Sequence, residues 1–319
     1  MSAKRFGDRW EVVRSLDEGG QGIVYEVRDA NAGAESQRFV LKKLKNRERL
    51  ERFQREIEAH KHLRHDGIAP LIDFSLADPA YIVLPLYDGP TLEQIAPVKN
   101  PLGALEYFGD LWDAVAYAHR ENVIHRDLKP ANIVLNNGKV VVLDFGLCYF
   151  EDEGARLTET FEQAGARFYM APEIEGGRAE KVTPAVDSYA LGKLLYFLLT
   201  GRHVAREAID GDDDLVAIAG DRQLKYVADR IIRKTVVIDA EKRKSAEALR
   251  DDARTIHRLI SQNFYPGREG ALCRFCGEGY YEKGQNMNWR VRFPTRAEND
   301  MTFRTLVCPS CRHIEWFGE

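Results

Sequence analysis

The chain carries five cysteines, and four of them fall in two Cys-x-x-Cys pairs, Cys273 with Cys276 and Cys308 with Cys311. Two residues between thiolates let both reach one ion, and in a reducing compartment two such pairs favour a bound metal over structural disulfides. Cys148 stands alone. A second stretch with chemical capacity is LDEGGQGIVYEV, residues 16–27. Glycine tolerates positive φ and brings backbone N–H groups close to a ligand, so this cluster either cradles phosphate or forms a tight hairpin.

With 319 residues, 44% hydrophobic and 30% charged, the chain has room for one large domain with a small appendage or for two ordinary domains. A formal net charge of −4 leaves no bulk basic field of the kind that holds a protein on nucleic acid. The opening MSAKRFGDRW lacks the apolar core of a signal peptide, and no uninterrupted apolar run is long enough to cross a bilayer. A cytoplasmic protein without a membrane partner is expected.

From Trp10 to about Leu84 the segments WEVVRSL, IVYEV, RFVLKKL, IAPLIDF and AYIVLPL read as five strands, with turn residues between them. One charged stretch interrupts them, in which Leu50, Phe53, Ile57 and Leu63 recur near helical spacing. Beyond residue 90 the pattern turns helical. A helix opens at Pro101, another runs from Pro184 to Gly201 and is apolar nearly all round, and further helices are expected at about 221–236 and 245–260. SQNFYPGREG then reads as a linker before a small separate unit that starts at Leu272.

Three motifs complete the picture: VIHRDLKPANIVL at 123–135, VVVLDFGL at 140–147 and YMAPE at 169–173. In this order, and between these elements, they closely resemble the eukaryotic-like (Hanks-type) protein serine/threonine kinases, over almost all of residues 8–260. The resemblance implies an α+β, bilobal protein kinase fold, with a β-rich N-lobe carrying one main helix and an α-rich C-lobe. It implies a kinase domain over 1–261 (N-lobe about 8–86, C-lobe about 87–260), a linker over 262–271 and a module over 272–319. It also implies transfer of the γ-phosphate of ATP, with Mg2+ or Mn2+, to Ser or Thr of protein substrates. Asp127 would orient the acceptor hydroxyl and take its proton, Lys129 would neutralise the transferring phosphate, and Asn132 and Asp144 would hold the metal. Lys42 would grip the α- and β-phosphates with Glu56 as ion-pair partner, while Lys43 reads as a surface lysine. Gly19, Gly22 and Val24 would cover the nucleotide, Leu84 would be the gatekeeper, and the backbones of Pro85 and Tyr87 would bind the adenine edge. Glu173 with Arg243 matches a buried ion pair, and Asp187 matches a brace for the catalytic loop.

Departures from the family pattern are as specific. Asp17 replaces the first glycine of the usual triplet and is expected to point outward. His60 occupies a helix position that is usually apolar, and Ala166 replaces a threonine that most Ser/Thr kinases keep near the catalytic Asp and Lys. Arg126 belongs to the class whose charge is quenched by a phosphorylated activation loop; Thr158 or Thr160 would carry that phosphate, unless Glu151, Asp152 or Glu153 does the same permanently.

The tail resembles a zinc ribbon, with Cys273, Cys276, Cys308 and Cys311 as a closed structural Zn2+ site, and iron as the alternative ion. A unit this small buries little core, so metal binding should supply most of its folding energy. Arg290, Arg292 and Arg296 cluster near Trp289 and Phe293, which fits either nucleic acid or an acidic protein surface; a protein-docking role is favoured. His313 reads as a surface residue. Two other classes share these features: a nucleotide-binding pseudokinase scaffold, towards which Asp17, His60 and Ala166 lean, and a kinase whose ribbon senses nucleic acid. A small-molecule kinase is disfavoured by YMAPE.

Overall fold

β-Branched and aromatic residues at alternate positions of two adjacent strands, β3 (Gly22–Asp29) and β4 (Arg38–Leu44), turn to one face, where Tyr25 pairs with Leu41 and Val27 with Phe39. The structure, a computed structural model, describes residues 4–18, 22–33, 37–98, 101–143, 149–150, 168–177, 182–204, 227–261, 282–283, 303–307 and 314–318. Five further strands of the first lobe's region and its surroundings are β1 (Arg5–Phe6), β2 (Trp10–Glu18), β5 (Asp73–Ser75), β6 (Tyr81–Pro85) and, lower down, β7 (Val123–Ile124). The first-lobe sheet is antiparallel in the order β1-β2-β3-β4-β6-β5. Trp10, fully buried on β2, donates its indole N–H to Asp73 Oδ2 on β5 at 2.6 Å, so the sheet curls until strands far apart in its order meet.

Two differences from the sequence expectation have local causes. The sheet has six strands, not five, because Arg5–Phe6 folds back onto Trp10–Glu11 ahead of the expected lobe start. Within IAPLIDF only the end becomes a strand. Ile68 and Ala69 pair instead with β9 (Lys139–Val142) of the second lobe, through Ala69 N–H to Val142 O and Val142 N–H to Gly67 O, both 2.9 Å. Pro70 cannot donate to a ladder, and the chain reaches the sheet at Asp73.

Helix α1 (Leu50–His62) lies on the other face of the sheet, where Phe53 and Ile57 are buried with Ile82 and packed by Leu50. Each large apolar side chain fully removed from water there contributes about 1.5–3 kcal/mol. Leu63, the fourth member of the expected stripe, caps the helix in extended conformation and joins the second lobe's core with Ala59. The helix therefore packs on both lobes.

The second lobe is built around α3 (Pro101–Arg120) and α4 (Ala185–Thr200), after a short α2 (Leu92–Ile95). Residues 186–199 of α4 are all buried, as its all-round apolar sequence requires, and Gly201 ends it at φ 69° with its N–H on Phe197 O. A π-helical turn, Ala228–Ile232, runs into Arg233–Thr235, and α5 (Ala246–Ser261) packs against α3. β8 (Ile133–Asn136) forms a hairpin with β9, and β10 (Tyr149–Phe150) pairs with β7. In the tail, β11 (Glu282–Lys283), β12 (Phe303–Val307) and β13 (Ile314–Gly318) make a three-stranded antiparallel sheet in which Val307 opposes Ile314. Among the described residues no helix is long and apolar enough to cross a membrane.

Candidate active site

The loop that follows β7, residues 125–132, is positioned by the end of α3 and the start of α4. Two non-glycine residues in the left-handed region, Asn122 at φ 59° and Arg126 at φ 68°, bracket the entry through β7. Such backbone costs of order 1–3 kcal/mol and persists where the surroundings over-determine it. Here Asp187, in the first turn of α4 and 1% exposed, accepts the N–H of His125 on Oδ2 and that of Arg126 on Oδ1, each at 2.8 Å. Its Oδ2 also accepts Nε2–H of His119, in the last turn of α3, at 2.8 Å. Burial pushes the Asp187 carboxyl up, but the hydrogen bond from His119 and the Arg126 N–H outweigh it and hold the group below the usual carboxylate range.

From that base the loop gathers three of the expected residues. Lys129 Nζ donates to Asp127 Oδ2 at 2.9 Å, and Asn132 Nδ2 donates to the Asp127 carbonyl at 3.0 Å and to its Oδ2 at 3.3 Å. The Asp127 N–H is itself held by His125 Nδ1 at 3.2 Å. Pro130–Asn132 forms a 3-10 turn, which Pro at its first position favours. Leu143 N–H donates to the Asn132 carbonyl at 2.9 Å, bringing the end of the β8–β9 hairpin, and the chain leading into Asp144, to the loop.

In the upper lobe the strand register puts Val24 and Ile82 on either side of Lys42. Lys42 Nζ stands 3.5 Å from Oε1 of Glu56, whose side chain is buried on the inner face of α1. Gly22 lies opposite Leu44 beside these residues; a Cβ there would meet the Lys43 carbonyl at 2.6 Å, so close strand approach alone demands glycine. Asp17 is exposed and His60 is buried on α1.

The lobes join through residues 84–91. Leu84 and Pro85 end β6, and Leu86 N–H donates to Arg38 O at 3.0 Å. Tyr87 packs on an apolar floor of Ala69, Val134 and Val141 with Leu143, and burial raises its phenol above the ordinary value. At Gly89 a Cβ would fall 1.6 Å from the Leu135 carbonyl, and Leu135 N–H reaches Pro90 O at 2.9 Å. The floor residues Ala69 and Val134 are absent from the sequence-derived set; the continuous apolar runs in NIVLNNGKVVVL, a hairpin buried on both faces, are the signal that points to Val134.

Lower down, Arg243 is a buried partner of Glu173 and not a surface arginine. Its Nη2 donates to Glu173 Oε2 at 2.8 Å, and it also donates to the carbonyls of Val237, Ile238 and Ala185, over the ring of Tyr189. Outside the described residues lie Gly19, Asp144 with Phe145 and Gly146, Cys148, Glu151, Asp152, Glu153, Thr158, Thr160 and Ala166. So do Trp289, Arg290, Arg292, Phe293, Arg296, His313 and all four paired cysteines, Cys273, Cys276, Cys308 and Cys311.

Comparison with known proteins bears on the same residues. The family model described as "Protein kinase domain" matches residues 10–253. A probable serine/threonine-protein kinase PknB of Lactococcus lactis is 34% identical over 226 residues, covering 68% of this chain and 34% of that protein. Serine/threonine-protein kinase PrkC of Bacillus subtilis is 33% identical over 210 residues, covering 63% of this chain and 32% of its own length. Serine/threonine-protein kinase PknB of Mycobacterium tuberculosis is 30% identical over 272 residues, covering 78% of this chain and 43% of its own. The chain thus spans about a third of the length of the first two relatives.

Proposed function

Because this chain belongs to the protein kinase domain family, we propose that it is a serine/threonine protein kinase, transferring the γ-phosphate of ATP to hydroxyls of protein substrates. The observation that carries the proposal is the convergence of Asp127, Lys129 and Asn132 on one loop, set beneath a sheet whose Lys42 faces a buried Glu56. The names of the relatives, all serine/threonine kinases, support the choice of acceptor, as does Lys129 at its place in the loop.

In this reading Asp127 orients the substrate hydroxyl and takes its proton, and Lys129, bonded to it, neutralises the phosphoryl group in transit. Lys42 holds the α- and β-phosphates while Glu56 fixes its ammonium, and Gly19, Gly22 and Val24 cover them. Pro85 and Tyr87 offer backbone to the adenine, whose ring lies against the floor of Val134 and Ala69. The residues fit a divalent cation, since Asn132 spends its amide N–H on Asp127 and keeps its side-chain carbonyl, a hard oxygen ligand, to join the carboxylate of Asp144. Mg2+ or Mn2+, when bound there, neutralises charge on the phosphates.

The tail forms a zinc-stabilised docking module for a protein partner. Its support is the three-stranded sheet, whose β12–β13 connection carries Cys308 and Cys311 in a register that closes at Val307 and Ile314. Incubation with labelled ATP and magnesium, beside Asp127→Ala and Asp144→Asn, tests the enzyme. No label on the chain or on generic acceptor proteins, with ATP still bound, makes it a nucleotide-binding scaffold instead.

A further inference from the structure

Two contacts of one residue grip the linker between the lobes. On the main chain, Arg38, the first residue of β4, accepts the N–H of Leu86 on its carbonyl at 3.0 Å. From its side chain, Nη2 donates to the carboxylate of Asp88, 2.5 Å from each oxygen. The residue between these two anchors is Tyr87, which makes no main-chain hydrogen bond of its own among the described residues. Beyond Asp88, the backbone of Gly89 lies so close to the Leu135 carbonyl that a Cβ would not fit, which leaves the linker no room to shift that way.

The guanidinium that holds Asp88 is itself aimed. Its Nη1 stands 3.4 Å from Oε1 of Glu26 on β3, and the other oxygen of Glu26 takes Nε of Arg14, on β2, at 2.7 Å. The Glu26 side chain is only 4% exposed, so the carboxylate has little water to turn to and stays with its two arginines. An isolated bridge as open as that of Arg38 with Asp88 contributes little; a side chain already oriented by a buried acid has less freedom left to lose when it forms one. The series from Arg14 through Glu26 and Arg38 to Asp88 crosses three strands and ends beside Tyr87.

We propose that Arg38 is a positioning residue for the nucleotide base: it clamps the linker on both sides of Tyr87 and so fixes the direction in which the Tyr87 main chain meets the adenine edge. The proposal rests on the kinase reading for its ligand and on geometry alone for the clamp. Arg38 acts through the linker and not through its charge on the phosphates, a difference that a base without phosphates reports.

The full chain carrying Asp88→Asn, Arg38→Gln or Arg38→Lys is compared with wild type by titration with Mg-ATP and with adenosine. Asp88 is exposed, so its substitution leaves folding intact. Each variant is expected to weaken ATP and adenosine by the same factor, about three- to fivefold. Arg38→Lys belongs with the others because it keeps the charge but loses the planar group that spans Glu26 and Asp88. Arg38→Gln combined with Asp88→Asn is no weaker than Arg38→Gln alone, since the same contact is lost in both. Amide exchange at Leu86 speeds up in each variant. Wild-type adenosine affinity in the variants overturns the proposal. So does a loss confined to ATP in Arg38→Gln and absent in Arg38→Lys, which makes Arg38 a counter-charge for phosphate, and so does a double variant whose losses simply add. If wild type binds neither ATP nor adenosine, the nucleotide reading fails, and Leu86 decides the clamp: unchanged exchange in Asp88→Asn overturns it.

Discussion

The N–H of Leu143 donates to the carbonyl of Asn132 at 2.9 Å, tying the end of the β8–β9 hairpin to the loop of Asp127 by main chain alone. The link that presents the next residue, Asp144, is therefore independent of side-chain identity at either place. Asp144→Asn should lower phosphoryl transfer about 100-fold or more, the scale of losing one electrostatic stabiliser. Its melting temperature should stay close to wild type. Steady-state kinetics with differential scanning calorimetry check this; a parallel collapse of both quantities contradicts it.

Lys42 is on the sheet and Glu56 on α1, which packs on the sheet through Phe53 and Ile57 against Ile82 and Leu44, so the pair reports whether α1 is docked. Lys42→Met is expected to lower kcat/KM for ATP by about 100-fold. Glu56→Gln, which keeps shape and polarity, should lower it less, by about tenfold. Equal losses in the two variants would mean that Glu56 does more than hold the lysine.

Gly89 has no room for a methyl group. Gly89→Ala has to push the linker between lobes away from the Leu135 carbonyl, at a cost of about 1–3 kcal/mol of overpacking. A domain of this size loses about 2–4 °C in Tm per kcal/mol. The displacement also moves Tyr87 relative to its floor, so ATP affinity should weaken alongside. Calorimetry and nucleotide titration measure both, and unaltered binding with wild-type Tm would show that the linker gives way freely.

Arg243 spends donors on Glu173 and on three carbonyls with its side chain fully covered. Arg243→Ala orphans a partly buried carboxylate and several carbonyls, and should destabilise by about 3–5 kcal/mol. Arg243→Lys should recover little, since an ammonium cannot match the planar fork. Denaturant unfolding gives the value; less than about 1 kcal/mol would place the pair among ordinary surface contacts.

Legibility in the sequence followed chemistry more closely than packing. Asp127, Lys129 and Asn132 stand in one short motif, and the structure brings their side chains together, as type and spacing lead one to expect. Lys42 and Glu56, paired by their place in a pattern, stand 3.5 Å apart. The helices α1, α3 and α4 follow from apolar spacing and from Pro and Gly at their ends. What stayed hidden depends on partners distant in the chain: Ile68 and Ala69 look like strand residues, yet serve β9, and His119 carries no local mark of its bond to Asp187.

The paired cysteines make a separate prediction. The purified chain should carry about one zinc, measured by atomic absorption, and a strong chelator should expose the strands around Val307 and Ile314 to hydrogen exchange. Protection around α4 should persist. A metal-free chain with a protected tail sheet removes the zinc assignment.

The segment after α1 has a mechanical meaning of its own. Gly67 and Ala69 are stitched to Val142, so the end of α1 near Leu63 is a fulcrum anchored to the second lobe. At 1.5 Å per residue, Glu56 lies about 10 Å along the lever and Leu50 about 20 Å. A tilt of about 10° about that point moves Glu56 by roughly 2 Å, enough to part it from Lys42, and moves the far end roughly twice as far. A small torque on the start of α1 is thus geared down into fine adjustment of the lysine, while the strand that leads to Asp144 stays still.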